Sequence, residues 1–546
     1  MDAINRFWLL LKIYKSELKL IYLYAVLIGF INLTLPLGVQ AIINFLQAGE
    51  FTITWLVLVA LVLIGIMASS WLQIMQLHVV EKSQQNIFAR SAFEFAYRLP
   101  KINVRELDTT HAPELVNRFF DTLTIQKGVP KIMIDFSMAI FQIVFGVVLL
   151  SIYSPYFILL GVTLSVITLI IVKFTSPKGL KTSVKESKHK YQLVHWLEEI
   201  ARTNKSFKMY SDSKLHLQKT DNIVGEYIQA RENHFNVLLG HYRLFIIFKL
   251  VVGTTLLLLG GSLVFMDKMN IGQFVAAEII VLLTINSVEK LFTTIDVIYD
   301  VLTALDKIGH ISDLKLDEDT GEYQVKSDKG LSIKAEKITF HFENEIPIFS
   351  ELSFHIMSNE KVILKGPSGS GKTLLLQIIA GIHNISSGHL HINEVPIKNY
   401  KRKSLHESIA IGLNTNQLFE ASILDNITMG REFDATLLSE LLELLNLNTY
   451  LMQQSLHLES IIDSGGRRLP QSIIQKIQLA RLLIGKPQLL LLEDPFHSIG
   501  LDEKKKIIDY ITDNRRNCTL VVISDFEYWQ EKCHKVLEII PFAQTI

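Results

Sequence analysis

The sequence predicts an α-helical transmembrane bundle, six spans with long cytoplasmic extensions, followed by an α/β domain built around a phosphate-binding loop. Three observations carry this expectation. Apolar residues make up 49% of the 546-residue chain, and the surplus lies ahead of residue 300. From Leu331 onward the pattern changes to short β-like runs alternating with amphipathic helices, as in an α/β domain. In that second part, Gly366-Pro367-Ser368-Gly369-Ser370-Gly371-Lys372-Thr373 fits the pattern G-x-x-x-x-G-K-S/T at every position.

Six apolar stretches, near 20–45, 55–79, 132–153, 155–175, 244–266 and 272–297, reach the about 20 residues needed to cross a bilayer. The segment ahead of them, Met1 to Lys19, is polar and basic, and the apolar run after it is too long for the core of a cleavable signal peptide. The spans pair through short connections: Gln47 to Thr54, Ser154-Pro155, and Asp267 to Ile271. Long polar helical segments, roughly 80–131 and 175–243, separate the pairs. The short connections contain one basic residue, Lys268, whereas the N-terminus carries Arg6, Lys12, Lys15 and Lys19. One long segment carries Lys173, Lys178, Lys181 and Lys185 beside a span. Cytoplasmic loops hold the excess of Lys and Arg, so the long segments and both termini are expected on that side. The expected domains are 1–311 in the membrane, a charged Gly-containing linker at 312–330, and the α/β domain at 331–546.

Composition excludes some functions. Lys+Arg and Asp+Glu balance at 54 each, without the basic excess a nucleic-acid partner would call for. The two cysteines, Cys518 and Cys533, form no metal-ligand spacing and are expected to stay reduced in a cytosolic domain.

The phosphate-binding loop has a direct physical reading. Its glycines let backbone N–H groups curl around the β- and γ-phosphates, Lys372 reaches those phosphates, and the Thr373 hydroxyl can ligate Mg²⁺. A strand at Lys361-Val362-Ile363-Leu364 and a helix from Leu374 to Ala380 are the expected flanks. ATP and Mg²⁺ are the expected cofactors.

Six spans, two long cytoplasmic extensions and a phosphate-loop domain on one chain resemble an ABC exporter half-transporter, with the α/β part as its ABC ATPase domain. Leu256 to Val275 is similar to the family's hairpin between its last two spans. Leu107 to Asp121 and Trp196 to Ser213 are similar to its two intracellular loops, which end in short coupling helices. The resemblance implies further site residues. The adenine-stacking aromatic falls on Phe342, for which an ordinary structural role is the alternative. The Gln that binds Mg²⁺ and senses the γ-phosphate becomes Asn414. The signature LSGGQ becomes Leu469-Pro470-Gln471-Ser472-Ile473, held in register by Gln475-Lys476-Ile477-Gln478-Leu479-Ala480-Arg481, and leaves Ser472 as the nearest anion-clamping residue. There Pro470 removes an N–H and the glycines that permit close approach are gone. Leu489-Leu490-Leu491-Leu492-Glu493-Asp494 carries the two acids in inverted order. Glu493 is expected to orient Mg²⁺ and Asp494 to stand at the general-base position. A base about one C–C bond short costs on the order of 100-fold in rate. The switch His becomes Asp525, and the Asp of the following loop becomes Gly500, with Asp502 two residues on.

In the membrane, Asn32, Gln40, Asn44, Glu278 and Glu289 are the polar candidates, with Glu278 expected to line the translocation path. Helix–helix hydrogen bonding is the alternative for this group. Lys249 is expected to snorkel. The resemblance implies ATP-driven export from the bacterial inner (cell) membrane, weak or absent hydrolysis at a degenerate site, and a second half-transporter as partner. That partner is either another copy or a catalytically intact chain, and a periplasmic adaptor is a further partner it admits. A different class also fits the residues: a non-hydrolysing, ATP-gated regulator or scaffold of a membrane secretion assembly.

Overall fold

The computed structural model describes residues 2–49, 53–108, 112–210, 212–327, 329–342, 346–414 and 417–540; side chains at 48, 108, 112, 158–160 and 162–176 are not described. The chain divides into two compact units, Met1–Leu316 and Asp317–Ile546.

The first unit is helical. It opens with α1 (Ala3–Ile13), α2 (Lys15–Asn32) and α3 (Thr34–Ala48). The break at Leu33 has a local cause. Pro36 cannot donate to the carbonyl of Asn32, and its ring crowds that carbonyl, so one span becomes two helices. Next come α4 (Ile53–Arg98), the short α5 (Val104–Asp108) and α6 (Ala112–Asn117), then α7 (Asp121–Tyr153), α8 (Pro155–Arg202) and α9 (Asn204–Met209). The unit closes with α10 (Leu215–Phe265) and α11 (Ile271–Asp313). At 1.5 Å per residue, helices of 46 to 51 residues run about 70–75 Å, more than twice the thickness of the hydrocarbon core. The long polar segments are therefore continuous with the spans. α6 and α9 fall inside the stretches expected to carry the short intracellular helices; Thr109, Thr110, His111 and Ser211 lie outside the described residues.

Among the described residues, five helical segments are long and apolar enough to cross a membrane: Lys15–Gln47, Ile53–Lys101, Pro113–Tyr153, Leu215–Phe265 and Ile271–Asp313. The sixth expected span, 155–175, falls in α8, mostly on side chains outside the described set. The connection from Gln47 to Thr54 likewise includes undescribed residues, 50–52. Close helix packing rests on small residues. A Cβ on Gly128 of α7 would stand 2.3 Å from Val301 Cγ2 of α11, and one on Gly179 of α8 would stand 2.2 Å from the Tyr299 ring. Asn270 caps α11 by accepting from the Gln273 N–H at 2.7 Å, while Gln273 accepts from the Asn270 N–H at 3.0 Å.

Several intramembrane polar residues join helices. Tyr153 Oη donates to Gln40 Oε1 at 2.6 Å, linking α7 to α3, and Asn44 packs on Gly272 of α11. Thr294 Oγ1 of α11 donates to Asp135 Oδ2 of α7 at 2.8 Å. Glu278, Glu289 and Asn32 are half-buried, and Lys249 is exposed.

The second unit has two main sheets. An antiparallel sheet, ordered β2-β1-β4-β5, comprises β1 (Ile333–Phe340), β2 (Phe349–Ile356), β4 (Ser387–Ile392) and β5 (Val395–Pro396). A parallel sheet, ordered β11-β3-β10-β9-β6, comprises β3 (Lys361–Lys365), β6 (Ile409–Gly412), β9 (Leu489–Glu493), β10 (Thr519–Ile523) and β11 (Lys535–Glu538). A strand covered on both faces reads as a continuous apolar run, which explains Leu489-Leu490-Leu491-Leu492 and Leu520-Val521-Val522. Helices α12 (Lys372–Ile379), α13 (Arg402–Ser408), α17 (Gln471–Leu483), α18 (Leu501–Thr512) and α19 (Tyr528–Lys532) pack around the sheets. A helical group, α14 (Ile423–Thr428), α15 (Ala435–Leu444) and α16 (Leu447–Gln453), shares a core with α17, and β7 (Ala421–Ser422) pairs with β8 (Ile461–Ile462) beside it.

Candidate functional site in the second unit

Strand order decides where the candidate residues meet. β3, β10, β9 and β6 are adjacent and parallel, so the segments after their C-terminal ends share one edge. In that order these are the phosphate-binding loop, Asp525, Asp494 and Asn414. The carboxyl edge of an open parallel sheet is where α/β folds place ligands.

The loop turns on left-handed glycines. Gly366, Gly369 and Gly371 have φ of 153°, 81° and 85°, and a Cβ on Gly371 would stand 2.7 Å from Ile348 Cγ2. Ser370 is fully buried under the loop, and its hydroxyl has no hydrogen-bond partner among the described residues. α12 starts at Lys372, so its N-terminal amides face the loop. Lys372 Nζ donates to the carbonyls of Gly366 and Pro367, each at 2.8 Å, and so lies folded over the loop.

Glu493 ties the loop to the next strands. The Thr373 hydroxyl donates to Glu493 Oε1, and the Asn414 N–H approaches Oε2 at 3.5 Å. Three residues expected at a metal, Thr373, Asn414 and Glu493, thus converge, Asn414 through its backbone. Thr415 and Asn416, next along, lie outside the described residues. Asp494 is exposed with φ +34°, a rarely populated conformation for a residue with a Cβ, and its N–H donates to the Ile523 carbonyl at 2.7 Å. Asp525 stands exposed in the turn after β10.

Phe342 lies two residues past the end of β1. Its ring meets Phe340 edge-on at 5.2 Å between centroids and His383 at 6.4 Å, and it is half-buried. Pro470 is the N-cap of α17, and its carbonyl accepts from the N–H groups of Ile473 and Ile474 at 2.9 and 3.1 Å. Ser472 is half-buried in the first turn. Gly500 caps α18, and Asp502 sits in that helix's first turn.

Sequence reasoning passed over one group beside this edge. Gln475, buried in α17, accepts at Oε1 from the Ser498 N–H at 3.0 Å, and its Nε2 lies 2.6 Å from His497 Nδ1. His497, Gln475, Gln471, Asn414 and Glu493 line one cavity of about 40 Å³. Gln475 had served only to hold the alignment, and His497 falls just after Asp494-Pro495, where a polar ring could have been noticed. Arg481 of the same helix donates through Nε to the Asn426 carbonyl at 2.6 Å and through Nη2 to Asn426 Oδ1 at 3.1 Å, locking α17 to α14.

Comparison with known proteins agrees with this architecture. The family model for the ABC transporter transmembrane region matches residues 18–288, and the ABC transporter model matches residues 349–497. The colicin V secretion/processing ATP-binding protein CvaB of Escherichia coli is 24% identical over 536 residues, covering 96% of this chain and 75% of that protein. An ATP-dependent lipid A-core flippase of Vibrio vulnificus is 24% identical over 241 residues, 44% of this chain and 41% of that protein. In fold, the chain superposes on a bacterial Atm1-family ABC exporter with ATP bound, at a TM-score of 0.80 and 15% identity, covering 97% of this chain and 94% of that one. With its helical membrane unit joined to a nucleotide-binding α/β unit, this multi-pass membrane protein belongs to the ABC transporter family, as a half-transporter of the exporter type.

Proposed function

We propose that the chain is the MgATP-binding half of a membrane exporter, seated in the bacterial inner membrane and completed by a second half-transporter. The observation that carries this reading is the Thr373–Glu493 hydrogen bond beneath an intact phosphate-binding loop. The residues fit the cofactors. The positive φ at Gly366, Gly369 and Gly371 suits a loop that wraps phosphate, Lys372 can exchange two carbonyl partners for phosphate oxygens, and Thr373 with Glu493 would hold Mg²⁺. The ion supplies charge neutralisation at the β- and γ-phosphates. Asn414 adds a contact from the next strand end.

Hydrolysis at this site is proposed to be slow. Asp494 is a shorter base than Glu, its backbone lies in the left-handed region, and Asp525 offers a carboxylate where a neutral donor would help. Pro470 ends its turn without an N–H, which weakens whatever clamp α17 offers to nucleotide on a partner. These features favour pairing with a catalytically intact chain. They equally support the second reading, an ATP-gated regulator that does not turn over. ATP turnover by the purified chain in lipid nanodiscs, beside Lys372→Ala and Asp494→Asn, tests both. Wild-type turnover above both variants is the expected result for a slow engine. ATP binding with a rate equal to theirs would refute hydrolysis by this chain alone, and adding a candidate partner would then separate a degenerate half from a regulator.

A further inference from the structure

We infer that His389 and His391 form a chelating pair for an imidazole-seeking divalent metal ion of the Zn²⁺ class, on the solvent face of the antiparallel sheet. The pair lies on β4, in a different sheet from the strands whose ends gather the nucleotide-site residues. It therefore stands or falls independently of the nucleotide-binding reading.

Strand geometry puts the two rings together. Residues i and i+2 of a strand share a face and stand about 6.5–7 Å apart along it. Leu390 between them and Ile392 beyond turn into the core, at 3% and 0% exposure. His389 is exposed and His391 half-buried on the other face. Their ring centres are 6.1 Å apart, with the planes tilted by 40°. A ligating nitrogen sits about 2.1 Å from Zn²⁺ and roughly 1 Å from its own ring centre, so two rings on one ion have centres no more than about 6 Å apart. The observed spacing is at that limit, and a small rotation of the exposed His389 ring brings the pair to a tetrahedral angle. Nδ1 of His391 is buried with no hydrogen-bond partner among the described residues, which leaves Nε2 as its outward nitrogen.

The neighbouring strand sets the charge. β1 runs antiparallel to β4, with Glu336 opposite His389 and Lys334 opposite His391. Directly opposed side chains have Cβ atoms about 5 Å apart. Lys334 Nζ holds the Glu336 carboxylate at 2.6 Å, and both side chains are exposed. That contact, followed by the weaker influence of His391 and His389, keeps the Glu336 carboxyl below the ordinary range, so both rings lie within electrostatic reach of it. Lys334 thus repels an incoming cation and withholds a carboxylate from it. Among the described residues no three His, Cys, Asp or Glu side chains are already gathered for a metal ion. The chelate is therefore made by two imidazoles, with water in the remaining positions. Imidazole suits Zn²⁺, Cu²⁺ and Ni²⁺, whereas Mg²⁺ seeks oxygen, so the pair does not compete for the ion of MgATP.

The test titrates Zn²⁺ into the tag-free full chain in nanodiscs, without nucleotide, against a chromophoric Zn²⁺ indicator. Wild type should show a saturable site. His389→Asn and His391→Asn should each weaken it by about 100-fold, because either change reduces a chelate to a single imidazole. His457→Asn, which removes an exposed histidine from another part of the unit, should leave it unchanged. Lys334→Met should tighten it severalfold at low ionic strength, by removing a like charge beside the ion. A merely structural disturbance of β1 would not produce tighter binding. The absence of a saturable site in wild type would overturn the inference. So would wild-type affinity in either histidine variant, an equal loss in His457→Asn, or unchanged or weaker binding in Lys334→Met. Melting curves recorded without metal should match for all five proteins; a lowered transition confined to the histidine variants would assign their loss to folding and overturn the chelate.

Discussion

Replacing Thr373 with Val isolates the hydrogen bond on which the proposed cofactor site turns. Val keeps the branched shape and helix position at the start of α12 but replaces the hydroxyl with a methyl. The hydroxyl now donates to a carboxylate, and among the described residues the Asn414 N–H also approaches Glu493, at 3.5 Å. A hydrogen bond to a charged acceptor is worth about 1.5–3 kcal/mol, so MgATP affinity should fall roughly 10- to 150-fold. ATP measured in excess EDTA should bind the variant and wild type alike, because the lost group acts through the metal. Titration calorimetry on the nanodisc-embedded protein, with and without Mg²⁺, gives both numbers. A cycle with Glu493→Gln adds a second check, since partners in direct contact couple by about 0.5–3 kcal/mol and the double variant should cost less than the sum. If Thr373→Val binds MgATP as tightly as wild type, or if the two losses simply add, the Thr373–Glu493 pair is not the metal seat.

Other expectations follow from packing and charge. Asn426 is fully buried, donates to the carbonyls of Phe419 and Ser422 at 2.9 and 3.1 Å, and accepts from the Phe419 N–H and Arg481. Asn426→Ala should destabilise the second unit by about 2–3 kcal/mol and lower its melting transition by several degrees, read by differential scanning fluorimetry. Gly128→Leu should strain the α7–α11 contact, because a Cβ alone already falls 2.3 Å from Val301; overpacking costs about 1–3 kcal/mol, and limited proteolysis of the membrane unit would register it. Asp300 lies in α11 past the apolar stretch 272–297 that is expected to cross the bilayer. Burial, reinforced by the charge of Asp296, pushes its carboxyl from the ordinary 3.8 up to about 6. The folded chain then holds a proton that the unfolded chain releases, so wild-type stability should fall as pH rises from about 4 to 6, an effect trimmed by the carboxyl's access to solvent. Asp300→Asn should flatten that slope in melting curves across this range, and an unchanged slope would count against the assignment.

Legibility differed by residue for physical reasons. The phosphate-binding loop is contiguous, so its glycines and Lys372 could be read directly, and the left-handed φ at Gly366, Gly369 and Gly371 suits what its spacing asks for. The break at Leu33 was also readable in principle, since Pro36 acts on its own turn. Gln40 and Asn44 stand out in the sequence as intramembrane polar residues, but their partners across helices, Tyr153 and Gly272, are remote in sequence and only the fold names them. His497 escaped notice because a lone exposed histidine in a turn carries no local pattern, and its partner, Gln475, lies on α17.

The same division holds for the whole protein. Span length, charge asymmetry and the nucleotide-binding loop are local properties, set by the polarity of consecutive residues and the backbone freedom of a few glycines, and the chain alone specified them. Long-range pairings were another matter. Thr373 and Glu493 lie 120 positions apart, and they meet because β10 inserts between β3 and β9 and brings their carboxyl ends to one edge. Folding selects that order through apolar burial on both sheet faces, a collective property that no single segment encodes.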